Sequence, residues 1–329
     1  MTMKILFVGG SGNISTACSR LAAERGIELV HFNRGLRRVD LPPSVRTIHG
    51  DLHDRRAMAQ ALASEAFDVV VNWIVFDPAE AAADVEMVAG KVGQYVFIST
   101  ATVYQKPPQH YIVHEETPLA NPFWEYAQKK IATEQFFMEA HRRHGFPVTI
   151  VRPSFTYGDT WVPTAFGVDF TSLHRLRRGL PLVVHGDGTS LWVMTHASDF
   201  AKGLLGLCGR REAVGEAFHI TSDEVLTWNQ VYECIAAATG TQPRLVHIPS
   251  DFIAKVDPTI GAGLLGDKAH SLVFDNSKIK RFVPEFRCAV PLHEGIRRAV
   301  AWLDTHPEAQ RLDSNAAVEK ILSAWDRSR

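Results

Sequence analysis

The sequence predicts an α/β protein: a doubly wound parallel sheet followed by a smaller, mixed substrate-binding region. Three observations carry this expectation. Short apolar runs alternate with helical patterns over the first 150 residues, as parallel sheets with crossover helices require. A glycine-rich turn separates the first run from the first helical pattern. Beyond about residue 155 the rhythm loosens, with Pro163, Gly167 and Gly186-Asp187-Gly188 interrupting it.

Taken in order, the strands are expected at Lys4 to Val8, Glu28 to Phe32, Val45 to His49, Asp68 to Ile74, Gln94 to Ser99 and Pro147 to Arg152. Helices are expected from Asn13, Asp54, Pro78 and Phe123, the last running to about His144 with apolar positions three and four residues apart. Later strands are expected at Leu182 to His185 and Ala217 to Thr221, with helices near Asp169, Ala197, Thr227, Leu292 and Pro307. The expected division is residues 1–160 for the sheet domain and 161–329 mainly for the substrate region, with segments near 182–225 returning to the first.

Length and charge narrow the functional classes. A chain of 329 residues suits one large or two unequal domains. Hydrophobic residues at 46% and charged residues at 22% argue against disorder. With 35 Lys and Arg against 36 Asp and Glu, the net charge of -1 gives no general attraction to nucleic acid or to an anionic membrane. Cys18, Cys208, Cys234 and Cys288 match neither a disulfide framework nor a zinc-site spacing, which fits a reduced, cytoplasmic setting. No apolar run approaches the roughly 18 residues of a membrane span, and no leader pattern precedes the strand at Lys4.

The turn reads Gly9-Gly10-Ser11-Gly12-Asn13-Ile14-Ser15. Between a strand and a helix it offers free N–H groups and a helix dipole to a dinucleotide's pyrophosphate, with Gly9, Gly12, Asn13 and Ile14 as the contacts. A tight strand-to-helix turn is the plainer alternative. The second strand closes on Asn33-Arg34 where an acid would hold a ribose 2′-OH. A neutral Asn beside a guanidinium suits a 2′-phosphate, so NADP(H) is favoured over NAD(H). Otherwise Arg34 simply opens an exposed basic loop with Arg37 and Arg38. Asp51, followed by Leu52, is placed either to accept from an adenine amino group or to start the next helix.

Tyr126 and Lys130 stand four apart in a helical pattern, hence on one face. A phenol with pKa near 10 must fall by about three units to act as a base at neutral pH, which takes about 4 kcal/mol of preferential phenolate stabilisation. A nearby ammonium and an oxidised nicotinamide supply such a field. The bland alternative is a packed tyrosine beside a solvated lysine. Thr100, at the end of the fifth strand, offers a hydroxyl to a substrate oxygen or else satisfies its own loop.

Together these motifs, with Ser99-Thr100-Ala101-Thr102-Val103-Tyr104, Arg152-Pro153 and His196-Ala197-Ser198-Asp199, resemble an extended or atypical short-chain dehydrogenase/reductase of the NAD-dependent epimerase/dehydratase family. The resemblance covers nearly the whole chain and implies a Rossmann sheet. It implies Tyr126 as acid/base, Lys130 as its electrostatic partner and ribose ligand, Thr100 as donor to the substrate oxygen, and Pro153 beside the nicotinamide. A homodimer packed through the Tyr-bearing helix is implied in the same way.

Departures from the family pattern shape the substrate expectation. Ser15 replaces a third glycine, and its small side chain leaves cofactor binding intact. Phe155 and Trp192 stand where nucleotide-sugar epimerases commonly carry Asn and Arg, so a substrate diphosphate loses a charge-assisted partner. Ala101 and Thr102 stand where dehydratases carry acidic residues, which makes dehydration the weaker branch. Trp73, Trp124, Trp161 and Trp192, with Phe155, are expected either to wall a pocket for a compact, mostly neutral, sugar-like molecule or to be ordinary core residues. No more than one indole at the nicotinamide-facing cavity would contradict the aromatic wall.

No metal site is expected. His110 and His114 fall in a loop after Pro107-Pro108, with no third ligand. Asp199 reads as a helix-start residue holding the later region against the sheet. The function expected is hydride transfer between a nicotinamide and a secondary alcohol or ketone, as a net oxidoreduction or as half of an epimerisation. The rivals are a nucleotide-sugar epimerase or dehydratase, a non-catalytic RNA-binding relative, and a redox sensor.

Overall fold

The computed structural model describes residues 2–36, 39–51 and 54–329, the side chains of 55 and 56 excepted. The first half runs β1 (Lys4–Val8), α1 (Asn13–Glu24), β2 (Glu28–Asn33), β3 (Arg46–His49), α2 (Arg55–Ser64), β4 (Val69–Asn72), α3 (Pro78–Val88), β5 (Gln94–Ile98), β6 (Ile112–Val113) and α4 (Glu125–His144). Next come β7 (Val148–Pro153), β8 (Phe155–Tyr157), α5 (Thr171–Arg177), β9 (Leu182–His185), β10 (Leu191–His196), α6 (Ala197–Leu207), β11 (Ala217–Ile220), β12 (Val225–Thr227) and α7 (Trp228–Ala238). The chain continues through β13 (Leu245–Ile248), α8 (Ser250–Val256), α9 (Pro258–Gly263), β14 (Val273–Phe274), α10 (Ser277–Phe282), α11 (Leu292–Thr305) and α12 (Asn315–Arg327).

The main sheet is a seven-stranded parallel Rossmann sheet in the order β11-β7-β5-β4-β1-β2-β3. Its central strands are mainly apolar because both faces are covered, whereas the edge strand β3 is largely polar. Alternation divides them: Ile5 and Phe7 join one cluster with Val69, Val71 and Phe218, while Leu6 and Val8 join the opposite one with Val70, Phe97 and Phe137. A third apolar cluster lies in the later region, around Trp192, Trp228, Tyr232 and Ile296. The strand order reverses between β1 and β4, so a crevice opens beyond their carboxyl ends.

Several boundaries differ from the sequence expectation for local reasons. The strand expected to reach Ile74 stops at Asn72, whose Oδ1 accepts from the Ile74 N–H at 3.0 Å and turns the chain. The helix expected from Phe123 begins at Glu125 because Asn121 Oδ1 captures the Phe123 N–H at 3.2 Å, leaving Trp124 extended. It ends at Gly145, whose φ of +67° is favoured in glycine. Near Pro307 there is a single 3-10 turn, Pro307–Ala309, and the terminal helix waits until Asn315. Asp169 ties Ser314 in place just before it, accepting from its N–H at 2.6 Å and its hydroxyl at 2.9 Å.

Candidate active site

At the crevice, the end of β1 and the start of α1 shape a cleft of about 670 Å3. Gly9 has a φ of +83°, and a Cβ there would lie 2.8 Å from Ile74 Cγ2, so only glycine lets the backbone line the cleft. The Ser15 hydroxyl accepts from the Gly12 N–H at 2.8 Å and donates to its carbonyl at 3.1 Å. The substituted third glycine thus braces the turn. In the first turn of α1, Asn13 and Ile14 have N–H groups with no carbonyl one turn earlier to accept them. Both residues line the cleft. Asn13 Nδ2 is buried with no hydrogen-bond partner among the described residues.

A cleft with free N–H groups, an unpartnered amide and a backbone wall fits the pyrophosphate of a dinucleotide. Asn33, Arg34 and Asp51 line the same cleft. Arg34 is exposed. Asn33 Oδ1 accepts from the Gly35 N–H at 2.8 Å, which turns the chain after β2. Gly50, before Asp51, packs under Phe32, whose ring would lie 2.4 Å from an added Cβ. Leu52, expected among the cofactor contacts, lies outside the described residues.

A second cavity, about 350 Å3, is lined by Thr100, Trp124, Tyr126, Pro153 and Phe155, with Asp267 and Lys268. Tyr126 comes from the first turn of α4, Thr100 follows β5, and Pro153 closes β7. Thr100 and Pro153 arrive from the ends of neighbouring strands, and Tyr126 from the helix between them. Burial pushes the Tyr126 phenol above its usual pKa, while a hydrogen bond with the Thr100 hydroxyl pulls it down and Asp267 pushes it up. The protein alone therefore leaves the phenol protonated at neutral pH. Thr100 Oγ1 lies 3.2 Å from Thr102 Oγ1 and accepts from the Thr102 N–H at 3.2 Å.

Lys130 lies one turn after Tyr126 on the buried face of α4. Its Nζ donates to the carbonyls of Val75 at 2.6 Å and Ile98 at 2.9 Å, and it is not among the residues lining the cavity. Burial lowers its pKa to about 8, against the opposing pull of Glu134 and Glu80. Glu134, a further turn along, is paired with Arg152 at 2.6 Å. Arg152 also donates to the Tyr104 hydroxyl at 3.2 Å and the Glu115 carbonyl at 3.0 Å.

The expected four-indole wall does not form. Of the four, Trp124 alone borders the Tyr126 cavity, whereas Trp73 and Trp161 line the glycine-turn cleft. Trp192 is core: it is 2% exposed and lies with its ring centroid 5.4 Å from that of Trp228. Trp192 pairs with Leu226 of β12, and its indole packs into the third apolar cluster. Phe155 does reach the cavity, beside Lys268. Sequence reasoning missed Asp267 and Lys268, which sit in a π-helical turn, Leu264–Lys268. The irregular Gly-rich run Gly261-Ala262-Gly263-Leu264-Leu265-Gly266 was their only signal.

Elsewhere, Asp199 is fully buried in the first turn of α6 and accepts from the N–H groups of Ala289 and Val290, each at 2.9 Å. His114 Nδ1 lies 3.4 Å from Asp275 Oδ2. Among the described residues no group of three or more His, Cys, Asp or Glu is arranged to hold a metal ion, and no helix is long and apolar enough to cross a membrane.

Comparison with known proteins gives the family and the fold. The model of the NAD dependent epimerase/dehydratase family matches residues 5–221. A 2′-dehydrokanamycin reductase of Streptomyces kanamyceticus is 26% identical over 288 residues, covering 87% of this chain and 80% of that one. A chloroplast stem-loop binding protein of Arabidopsis thaliana is 27% identical over 265 residues, covering 76% of this chain and 67% of its own. Among solved structures, an epimerase from Methanothermobacter thermautotrophicus superposes with a TM-score of 0.76 at 18% identity, over 93% of this chain and 94% of that one.

Proposed function

The chain belongs to the NAD-dependent epimerase/dehydratase family, and on that premise we propose that it interconverts a secondary alcohol and a ketone on a compact, sugar-like substrate, with NADP(H) as cofactor. The observation that carries the proposal is the meeting of Tyr126, Thr100 and Pro153 at one cavity beside the glycine-turn cleft. Relatives named as a sugar-modifying reductase and as dTDP- and UDP-glucose enzymes support the substrate class.

Gly9, Gly12, Asn13 and Ile14 would hold the pyrophosphate, Asp51 the adenine end, and Arg34 the 2′-phosphate. When bound, the nicotinamide would supply or take the hydride. Tyr126 handles the proton: its phenol donates to the carbonyl oxygen during reduction, and its phenolate takes the hydroxyl proton during oxidation. Thr100 orients that oxygen and lowers the phenol's pKa by hydrogen bonding. Lys130 acts from one turn below, where two carbonyls fix its charge. Trp124 and Phe155 offer ring faces to the substrate's C–H groups.

The same proton step serves a net oxidoreduction or the first half of an epimerisation. A panel of sugars and keto sugars, followed by cofactor absorbance and product NMR, tests the proposal. Cofactor turnover or an inverted carbon supports it. Neither change, with cofactor shown to be bound, would overturn it.

A further inference from the structure

We propose that Lys268 forms an anion subsite beside Tyr126, and that the substrate carries a carboxylate near the carbon that is oxidised or reduced. This deepens the hydride-transfer reading above and rests on it. It also replaces the expectation of a mostly neutral substrate.

Lys268 lies on the wall of the Tyr126 cavity with its side chain only 12% exposed. Its Nζ stands 5.5 Å from the centroid of Trp124 and 5.7 Å from that of Phe155, two of the aromatic residues of the cavity. Among the described residues the ammonium makes no hydrogen bond, and its nearest anion is Asp267 Oδ2 at 3.9 Å. With no protein acceptor, its three donors are left to solvent or to a ligand in the cavity.

Asp267 does not neutralise Lys268, because it is shared. Lys106 Nζ lies 3.8 Å from Asp267 Oδ1, with a side chain that is fully buried. With all three ionised, two ammoniums and one carboxylate carry a net charge of +1, against burial that lowers both lysines and raises Asp267. A monoanion balances that charge. A neutral sugar leaves the ammonium unpaired, and a phosphate dianion overshoots. The ring faces beneath Nζ favour the charged lysine but accept no hydrogen bond of ordinary strength, so a ligand oxygen completes the set.

The subsite is anchored to the catalytic turn. Asn121 Nδ2 donates to the Gly266 carbonyl at 2.7 Å and to the Thr102 carbonyl at 2.8 Å, tying the π-helical turn to the segment after Thr100. Gly266 makes the approach possible, since an added Cβ would lie 2.8 Å from Trp124 Cβ. Single π-helical turns of this kind are frequent at functional sites.

The test is calorimetric titration of the NADPH-saturated protein with glucuronate against glucose and galacturonate against galactose, in wild type, Lys268→Met and Lys268→Arg. At least one acid is expected to bind about 10- to 100-fold more tightly than its neutral parent, the range for one charge-assisted hydrogen bond. Lys268→Met should erase that preference, and Lys268→Arg should keep most of it. If neither acid exceeds its parent, whether the sugars bind equally or not at all, the proposal is overturned. A preference that persists in Lys268→Met overturns it too. Turnover does not enter this titration, so a wrong role for Tyr126 leaves the result readable. NADPH binding, measured first by cofactor fluorescence, reports separately on the hydride-transfer reading.

Discussion

Two roles are proposed for Thr100, and they are separable. One is to orient the substrate oxygen; the other is the contact that lowers a phenol that burial raises. In alcohol oxidation only the phenolate accepts a proton, so kcat/KM with saturating NADP+ rises with pH until the phenol has ionised. Thr100→Val removes the lowering contact. The midpoint of that rise should therefore move to higher pH, besides any loss of rate; an unmoved midpoint would assign Thr100 a positional role alone. Arg34 makes a second prediction. Arg34→Ala should weaken NADPH binding by about 10- to 100-fold, the worth of a charge-assisted pair, while leaving NADH nearly unchanged. Equal losses for both cofactors would remove the 2′-phosphate contact from the account.

Among the elements, α4 was the most legible in sequence. Its apolar steps, its Tyr126 and Lys130 on one face, and Gly145 at its end all follow from helical spacing. What spacing did not show is why the helix sits where it does. Glu134 forms a buried pair with Arg152 of β7, joining helix to sheet directly behind the site. Replacing Glu134 by Gln leaves a buried guanidinium short of its anion, and about 3–5 kcal/mol of stability should be lost in urea unfolding. A loss below about 1 kcal/mol would mean that α4 is held by apolar packing alone. The π-helical turn was the least legible element. Its glycines show no period, and Lys268 reaches the cavity only because Asn121, distant in sequence, grips Gly266. Trp192 is the converse case: standing where nucleotide-sugar epimerases commonly carry Arg, it was open to a pocket or a core position, and its packing on Trp228 makes it core.

At the scale of the whole molecule, the sheet was readable because six of its strands follow in order along the chain, with a helix in four of their five connections. Its edge strand β11 arrives from the later half, beside β7, and a local pattern gives no address for it. Net charge bears on the RNA-binding alternative raised by one relative. With -1 overall, the protein lacks the general attraction that nonspecific phosphate binding requires, so no salt-sensitive affinity for a stem-loop RNA is expected in a filter or fluorescence titration. Tight binding that weakens steeply with salt would restore that alternative. The central claim concerns a single oxygen, the phenol of Tyr126, and it is tested by measuring turnover and NADPH binding side by side in Tyr126→Phe. The account predicts turnover reduced on the order of 100- to 10,000-fold with cofactor affinity retained. Wild-type turnover in that variant would contradict it.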